Sequence, residues 1–326
     1  MRKTTETTRT DSTNRLLWGT LGTILLAWTI HSMADETVAS GKPADMPGTQ
    51  LGTVRDYRIS DSSGIALSLR QPDAVWLHND SGSPAWLFLV GLDGTTRAVL
   101  KLSGVSRALD WEDMASFQID GRPWLAVGDI GDNSHERTLQ GKEKTSSMPC
   151  RVYIFPEPDM AGTTERQIEP QTTIRFEFED GPRNCESIAV DAERREILLI
   201  SKSKPEPLNC GLYRIPLTLE PGSTTCQAQR IADLNIPYVT AMDVSPDGRH
   251  LVVLAPEGAM LWERSGDESW DTAVKKPCRL IKLPPRPNGE TICFGRTPSE
   301  LLIHSEQKYQ PLWSVLIPDN PAPPTP

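Results

Sequence analysis

Short apolar runs recur along this chain, separated by polar turns such as Leu92-Asp93-Gly94 and Pro246-Asp247-Gly248. Alternating runs bounded by turn residues of this kind predict strands joined by hairpins. One set of runs falls at 74–77, 124–127, 197–200, 251–254 and 301–303. A third strand-like segment follows each, at 86–89, 151–155, 212–215, 259–262 and 312–316. Four of the five groups add an alternating segment, at 96–100, 173–178, 228–232 and 279–283.

Each group is opened by a common pattern, clearest in Asp110-Trp111-Glu112-Asp113-Met114-Ala115, Asn184-Cys185-Glu186-Ser187-Ile188-Ala189 and Asn288-Gly289-Glu290-Thr291-Ile292-Cys293. Asp61-Ser62-Ser63-Gly64-Ile65-Ala66 and Tyr238-Val239-Thr240-Ala241-Met242-Asp243 fit the same frame more weakly. The third position of the pattern falls at 63, 112, 186, 240 and 290, in steps of 49, 74, 54 and 50 residues. A period near 50 with four strands per repeat predicts an all-β fold, a β-propeller of four-stranded blades. The fifth group stops after three strands, so the spare alternating segment 53–59 is expected to supply its outer strand, closing the ring and removing an open edge. Five blades then span 51–318. A sixth is the alternative if the 74-residue step hides a degenerate repeat, but that step holds a polar insertion, 134–149, that reads as a loop and a candidate lid.

In a strand, residues i and i+2 share a face. Asp110 with Glu112, Asn184 with Glu186, Asn288 with Glu290 and Asp61 with Ser63 are therefore expected to point together at the channel mouth. The second strands return to the same end and finish in polar groups: His78-Asn79-Asp80, Asp129-Ile130-Gly131-Asp132-Asn133, Ser201-Lys202 and His304-Ser305-Glu306. Crowded carboxylates cannot all ionise uncompensated. A set of six to eight oxygens is a calcium inventory, whereas zinc would need His or Cys, for which only His78 and His304 are near. The expected metal ligands are Glu112, Glu186, Glu290, Asp110, Asp129 and Asp132, with Asp80, Asn133, Asn184, Lys202, Asn288 and Glu306 as ligand-binding groups. Glu112 and Glu186 are the candidate bases. The competing expectations are that these groups only cap backbone amides and pair with Arg107, Arg183, Lys202 and Arg286, or that one glutamate is a metal-free acid/base. Trp111, between two of the carboxylates, could be a ligand platform. No GxSxG elbow, GxxxxGK loop or HExxH is present.

The net charge of −9 and pI near 5.2 exclude a nucleic-acid partner, since no basic stripe exists to neutralise phosphates. The apolar segment 16–30, preceded by arginines and followed by Ser32-Met33-Ala34, predicts a signal peptide over 1–34, or an anchor if it is retained. Residues 35–50 and the Pro-rich 319–326 read as linker and tail, and the protein is expected outside the cytoplasm, in the periplasm or beyond it, with any membrane contact confined to an uncleaved first segment. Six cysteines there permit disulfides, with Cys210–Cys226 the best pair and Cys185 and Cys293 equally suited to being buried thiols.

The elements Asp110-Trp111-Glu112-Asp113, Gly128-Asp129-Ile130-Gly131-Asp132-Asn133, Asn184-Cys185-Glu186 and Asn288-Gly289-Glu290 resemble exported bacterial β-propellers of the SdiA-regulated and esterase-like phytase kind. The resemblance implies calcium near the channel mouth, with Glu112, Glu186 and Glu290 as the matching carboxylates. Thr240 and Ser63 depart from it, leaving the glutamate ring incomplete, and the lysine-rich surface suited to phytate is missing. Two functions follow as expectations. One is a calcium-stabilised module that binds a small anionic ligand or an envelope component. The other is a calcium-dependent hydrolase of phosphoesters or lactones.

Overall fold

The computed structural model describes residues 47–105, 108–142 and 147–318, so the predicted signal segment and Pro-rich tail lie outside the described residues. The chain begins with β1 (Thr49–Thr53), which belongs to the last sheet. β2 (Ser62–Leu67), β3 (Ala74–Asn79), β4 (Trp86–Gly91) and β5 (Thr96–Leu102) form the first antiparallel meander. β6 (Trp111–Ile119), β7 (Arg122–Asp129), β8 (Cys150–Pro156) and, after the excursion β9 (Glu165–Ile168), β10 (Thr172–Phe178) form the second. The third is β11 (Cys185–Asp191), β12 (Glu196–Ser201), β13 (Cys210–Pro216) and β14 (Gly222–Leu234). β15 (Ala241–Val244), β16 (His250–Ala255), β17 (Gly258–Glu263), the one-turn helix α1 (Trp270–Ala273) and β18 (Arg279–Ile281) make the fourth. The fifth is β19 (Thr291–Phe294), β20 (Glu300–His304), β21 (Pro311–Leu316) and β1.

The innermost strands touch in a closed circuit, β2 to β6 to β11 to β15 to β19 and back to β2. This is a β-propeller, and its core is divided into seams between neighbouring blades. Ile197 and Leu199 of β12 pack toward the second blade while Leu198 and Ile200 pack toward the fourth. Leu251 and Val253 of β16 likewise face the third blade, and Val252 and Leu254 the fifth. Both faces of a middle strand are therefore buried, which is why these strands are continuous apolar runs rather than alternating ones. Val54, Ile59, Ile65, Val75, Cys293, Leu302 and Leu312 form the seam that joins the fifth blade to the first.

The closing strand corrects the expectation from sequence. β1 pairs antiparallel with β21 at 49–53, and of the alternating segment 53–59 only Thr53 is in a strand. Its Val54 and Ile59 are buried in the closing seam, while Asp56 and Arg58 between them form an ion pair of 2.6 Å that folds the segment into a turn. The period-two pattern there records two buried plugs. Two outer edges are also covered in a way the repeat does not suggest: β14 runs parallel to β10, welding the second and third blades, and β9 adds parallel to β5.

All six cysteines are free thiols. Cys210 stands opposite Leu234, and Cys226 lies eight positions earlier on β14, about 25 Å along the strand, far beyond disulfide reach. Cys185 and Cys293 are buried thiols on inner strands.

Candidate functional site

The channel mouth is built where inner strands start and second strands end. At four blades the same bond recurs: the backbone N–H of Asp80, Ile130, Lys202 and Glu306 donates to the carbonyl of Asp61, Asp110, Asn184 and Asn288, at 2.8, 3.0, 2.9 and 3.3 Å. The third position of the pattern is bulged in three blades. The ladder shifts between Ser62 and Gly64, between Trp111 and Met114, and between Cys185 and Ser187. A bulge leaves a residue out of the ladder and re-aims its side chain. Ser63, Glu112 and Glu186 are the residues so placed.

Three carboxylates converge there. Asp80, Asp110 and the buried Glu112 each bring an oxygen within 4.8 Å of the others. Ser63 supports the group, donating its hydroxyl to the Glu112 carbonyl at 2.5 Å and approaching its carboxylate at 3.5 Å. Burial, then the charges of Glu186, Asp80 and Asp110, push Glu112 well above the usual carboxylate range. Burial and Asp80 raise Asp110 to about 6. Asp80 is raised too, first by burial and then by Asp61 and Glu306, against the backbone N–H of Ser81 that it accepts.

The other expected ligands are engaged elsewhere. Glu186 is ion-paired to Lys202 and accepts from Asn184 Nδ2 at 2.9 Å. Burial raises its pKa, and Lys202 opposes that shift. Glu290 is raised to about 8 by burial and by its hydrogen bond to Glu306, which also accepts from Asn288 Nδ2 at 2.9 Å. Asp129 is ion-paired to Arg137 at 2.9 Å and accepts from the Tyr153 hydroxyl at 3.3 Å. The Asp132 carboxylate accepts the backbone N–H groups of Glu136 and Arg137, both at 2.9 Å. Asn184 bridges to the same loop, accepting from the Asp132 N–H at 2.7 Å and donating to Asn133 at 3.3 Å. Asp129 and Asp132 thus anchor the insertion at its root.

Trp111 is fully buried, edge-on to His78 at 5.3 Å, and packs the seam between the first two blades. His78 and His304 are buried, and burial pulls each to about 4, so both are neutral rings. Arg183 pairs with Asp180 at 2.8 Å, and Arg107 lies outside the described residues.

Three residues were not singled out from sequence. Asp113, fully buried, accepts N–H groups from Met114, Ile188 and Met242 at 2.8, 3.0 and 3.1 Å, tying the second, third and fourth blades together. Asp243 does the same for the fourth and fifth, accepting from Val244 and Phe294, each at 2.8 Å. Arg137 reaches the carbonyls of Gly131 and Pro149 at 2.8 and 3.0 Å, pinning both ends of the insertion. Asp113 sits inside the repeat pattern and could have been found there: an Asp among small residues on an inner strand must find donors. A single Arg in an irregular loop offers no such signal.

Two cavities flank the channel. One of about 400 Å³ lies at this mouth, between the third, fourth and fifth blades, against Lys202, Tyr238, Thr240, Arg286 and Glu290. The other, about 290 Å³, lies at the far end of the inner strands, against Phe117, Val190, Asp243 and Phe294.

No protein-family model matches the chain, and no curated protein matches it either. It is similar in structure to a luciferin-regenerating enzyme, at 10% identity over 81% of this chain and 94% of that one, with a TM-score of 0.39. It is also similar to the PQQ-bound aldose sugar dehydrogenase of Streptomyces coelicolor, at 10% identity over 84% of this chain and 99% of that one, with a TM-score of 0.42. Both are β-propellers. At such scores the propeller assignment rests on the sheet order and the closed circuit of inner strands.

Proposed function

We propose that the chain is a divalent-cation-binding propeller whose channel mouth takes a small anionic ligand. The single observation behind it is the convergence of Asp80, Asp110 and Glu112 within 4.8 Å. Calcium–oxygen distances are about 2.4 Å, so oxygens sharing one ion stand no more than about 4.8 Å apart. The residues fit the ion. All three donors are hard carboxylate oxygens, which favours calcium over zinc. Asp80, Asp110 and Glu112 would hold it, and Ser63 would orient Glu112. When bound, the cation supplies positive charge that relieves the repulsion among the three and can take up a ligand oxygen.

The test is a melting curve with excess calcium and with a chelator. At a hundredfold excess over Kd, calcium should stabilise the wild type by about 2.7 kcal/mol, and Glu112→Gln should abolish that response while remaining folded. A wild type indifferent to both additions would end the cation reading.

A hydrolytic reading of the same site is favoured by one observation. Glu290, beside the mouth cavity and raised to about 8, holds a proton near neutral pH as a general acid must. Under it, Glu290→Gln removes turnover of a phosphoester or lactone without removing calcium binding.

A further inference from the structure

Arg286 stands at the channel mouth as a cation whose charge no described residue neutralises. Lys202, across the same cavity, is ion-paired to Glu186. Arg286 has no ion-pair partner among the described residues, and its one hydrogen bond runs from Nη2 to the carbonyl of Ala255 at 3.2 Å. Its Nε is buried with no acceptor. Burial shifts the guanidinium, lowering its pKa. A half-buried charge left uncompensated is costly unless a counter-charge arrives.

The side chain is nevertheless held in place. Its stem lies on Gly289, where a Cβ would collide with Arg286 Cδ and Nε. Two lining residues, Tyr238 and Asn288, have φ of 54° and 43°, in the left-handed region that non-glycine residues rarely adopt and that clusters at ligand sites. Tyr238 is 38% exposed at the rim. Glu290, the acidic residue against the cavity among the described residues, shares its proton with Glu306.

We propose that this cavity of about 400 Å³ is an oxyanion subsite in which Arg286 is the counter-charge for the carboxylate or phosphate of a small hydroxylated ligand. This names the ligand class for the function proposed above and rests on that reading only for the ligand's contact with the cation. A guanidinium suits either anion through two parallel N–H donors. Thr240 and Asn288 are placed to meet hydroxyl groups, and Tyr238 to cover the ligand's face.

The experiment is calorimetric titration of the calcium-loaded protein with glycerol 2-phosphate and, separately, glycerate, repeated on Arg286→Gln, Arg286→Lys and Gly289→Ala. The two probes separate phosphate from carboxylate recognition. Wild type should bind at least one, and Arg286→Gln should weaken it roughly tenfold or more. Arg286→Lys should recover part of the loss, and Gly289→Ala should reproduce it by displacing the arginine stem. Calcium affinity should be the same in all four proteins. Arg286→Gln should melt no lower than wild type, since it removes an uncompensated charge; a purely structural arginine would lower it. Wild type that binds neither probe, or Arg286→Gln that binds both unchanged, would overturn the subsite. A wild type that takes up no calcium yet binds a probe would overturn the cation reading and leave the subsite standing.

Discussion

Asp113 accepts three backbone N–H groups from the second, third and fourth blades, at a depth where no solvent reaches. Replacing it with alanine strands three buried donors, each costing about 1–3 kcal/mol. Asp113→Ala should therefore lose at least about 3 kcal/mol in a urea titration, and Asp113→Asn, which keeps an acceptor oxygen, clearly less; equal stability of alanine variant and wild type would show that the axial bonds contribute nothing. Much of the site was legible in the repeat. The i, i+2 geometry and the returning second strands correctly bring Asp110, Glu112 and Asp80 to one mouth. What stayed hidden was the division of labour among the acids. Glu186, Glu290, Asp129 and Asp132 share the same polar surroundings in sequence, yet each is engaged by a partner of its own blade: Lys202, Glu306, Arg137 and the loop backbone. Which polar group at the end of a second strand or in the insertion reaches back to which acid depends on side-chain geometry that the repeat pattern does not encode.

The ring is closed by β1, a strand of five residues whose Gly52 passes directly over the β4–β5 turn of the first blade. A Cβ there would press into the carbonyl of Asp93 and lie 2.7 Å from the Gly94 nitrogen, with backbone on both sides and nothing able to yield. Gly52→Ala should cost roughly 1–3 kcal/mol and promote aggregation by freeing the β21 edge; light scattering together with chemical unfolding would report both. Unchanged behaviour would mean the closure is dispensable. The repeat correctly demanded an N-terminal strand here and misplaced it by one turn of chain, because Val54 and Ile59 mimic strand alternation while serving as plugs. The edge-covering pairs β10–β14 and β5–β9 were invisible for a related reason: parallel pairing between distant segments leaves no periodic trace in either.

Across the molecule, buried acids set a pH response of definite sign. Glu290 rises from 4.5 to about 8, Asp243 from 3.8 to about 7 and Asp110 from 3.8 to about 6, so the folded protein holds protons that the unfolded chain has released. Their effect is a stability that falls as pH rises through those values. His78 and His304 act oppositely: lowered from 6.5 to about 4, they cost stability as pH falls below 6.5. The metal-free protein should therefore be most stable at mildly acidic pH and weaken steadily toward pH 8, which melting curves across that range would show. A cation among Asp80, Asp110 and Glu112 reverses the alkaline limb, because it binds the charged forms. Calorimetric titration of calcium into the protein at pH 6 and again at pH 8 puts the acidic mouth to the test. One site per chain, bound more tightly at pH 8 and releasing more protons at pH 6, is the expected result; no binding, or an affinity indifferent to pH, would contradict it.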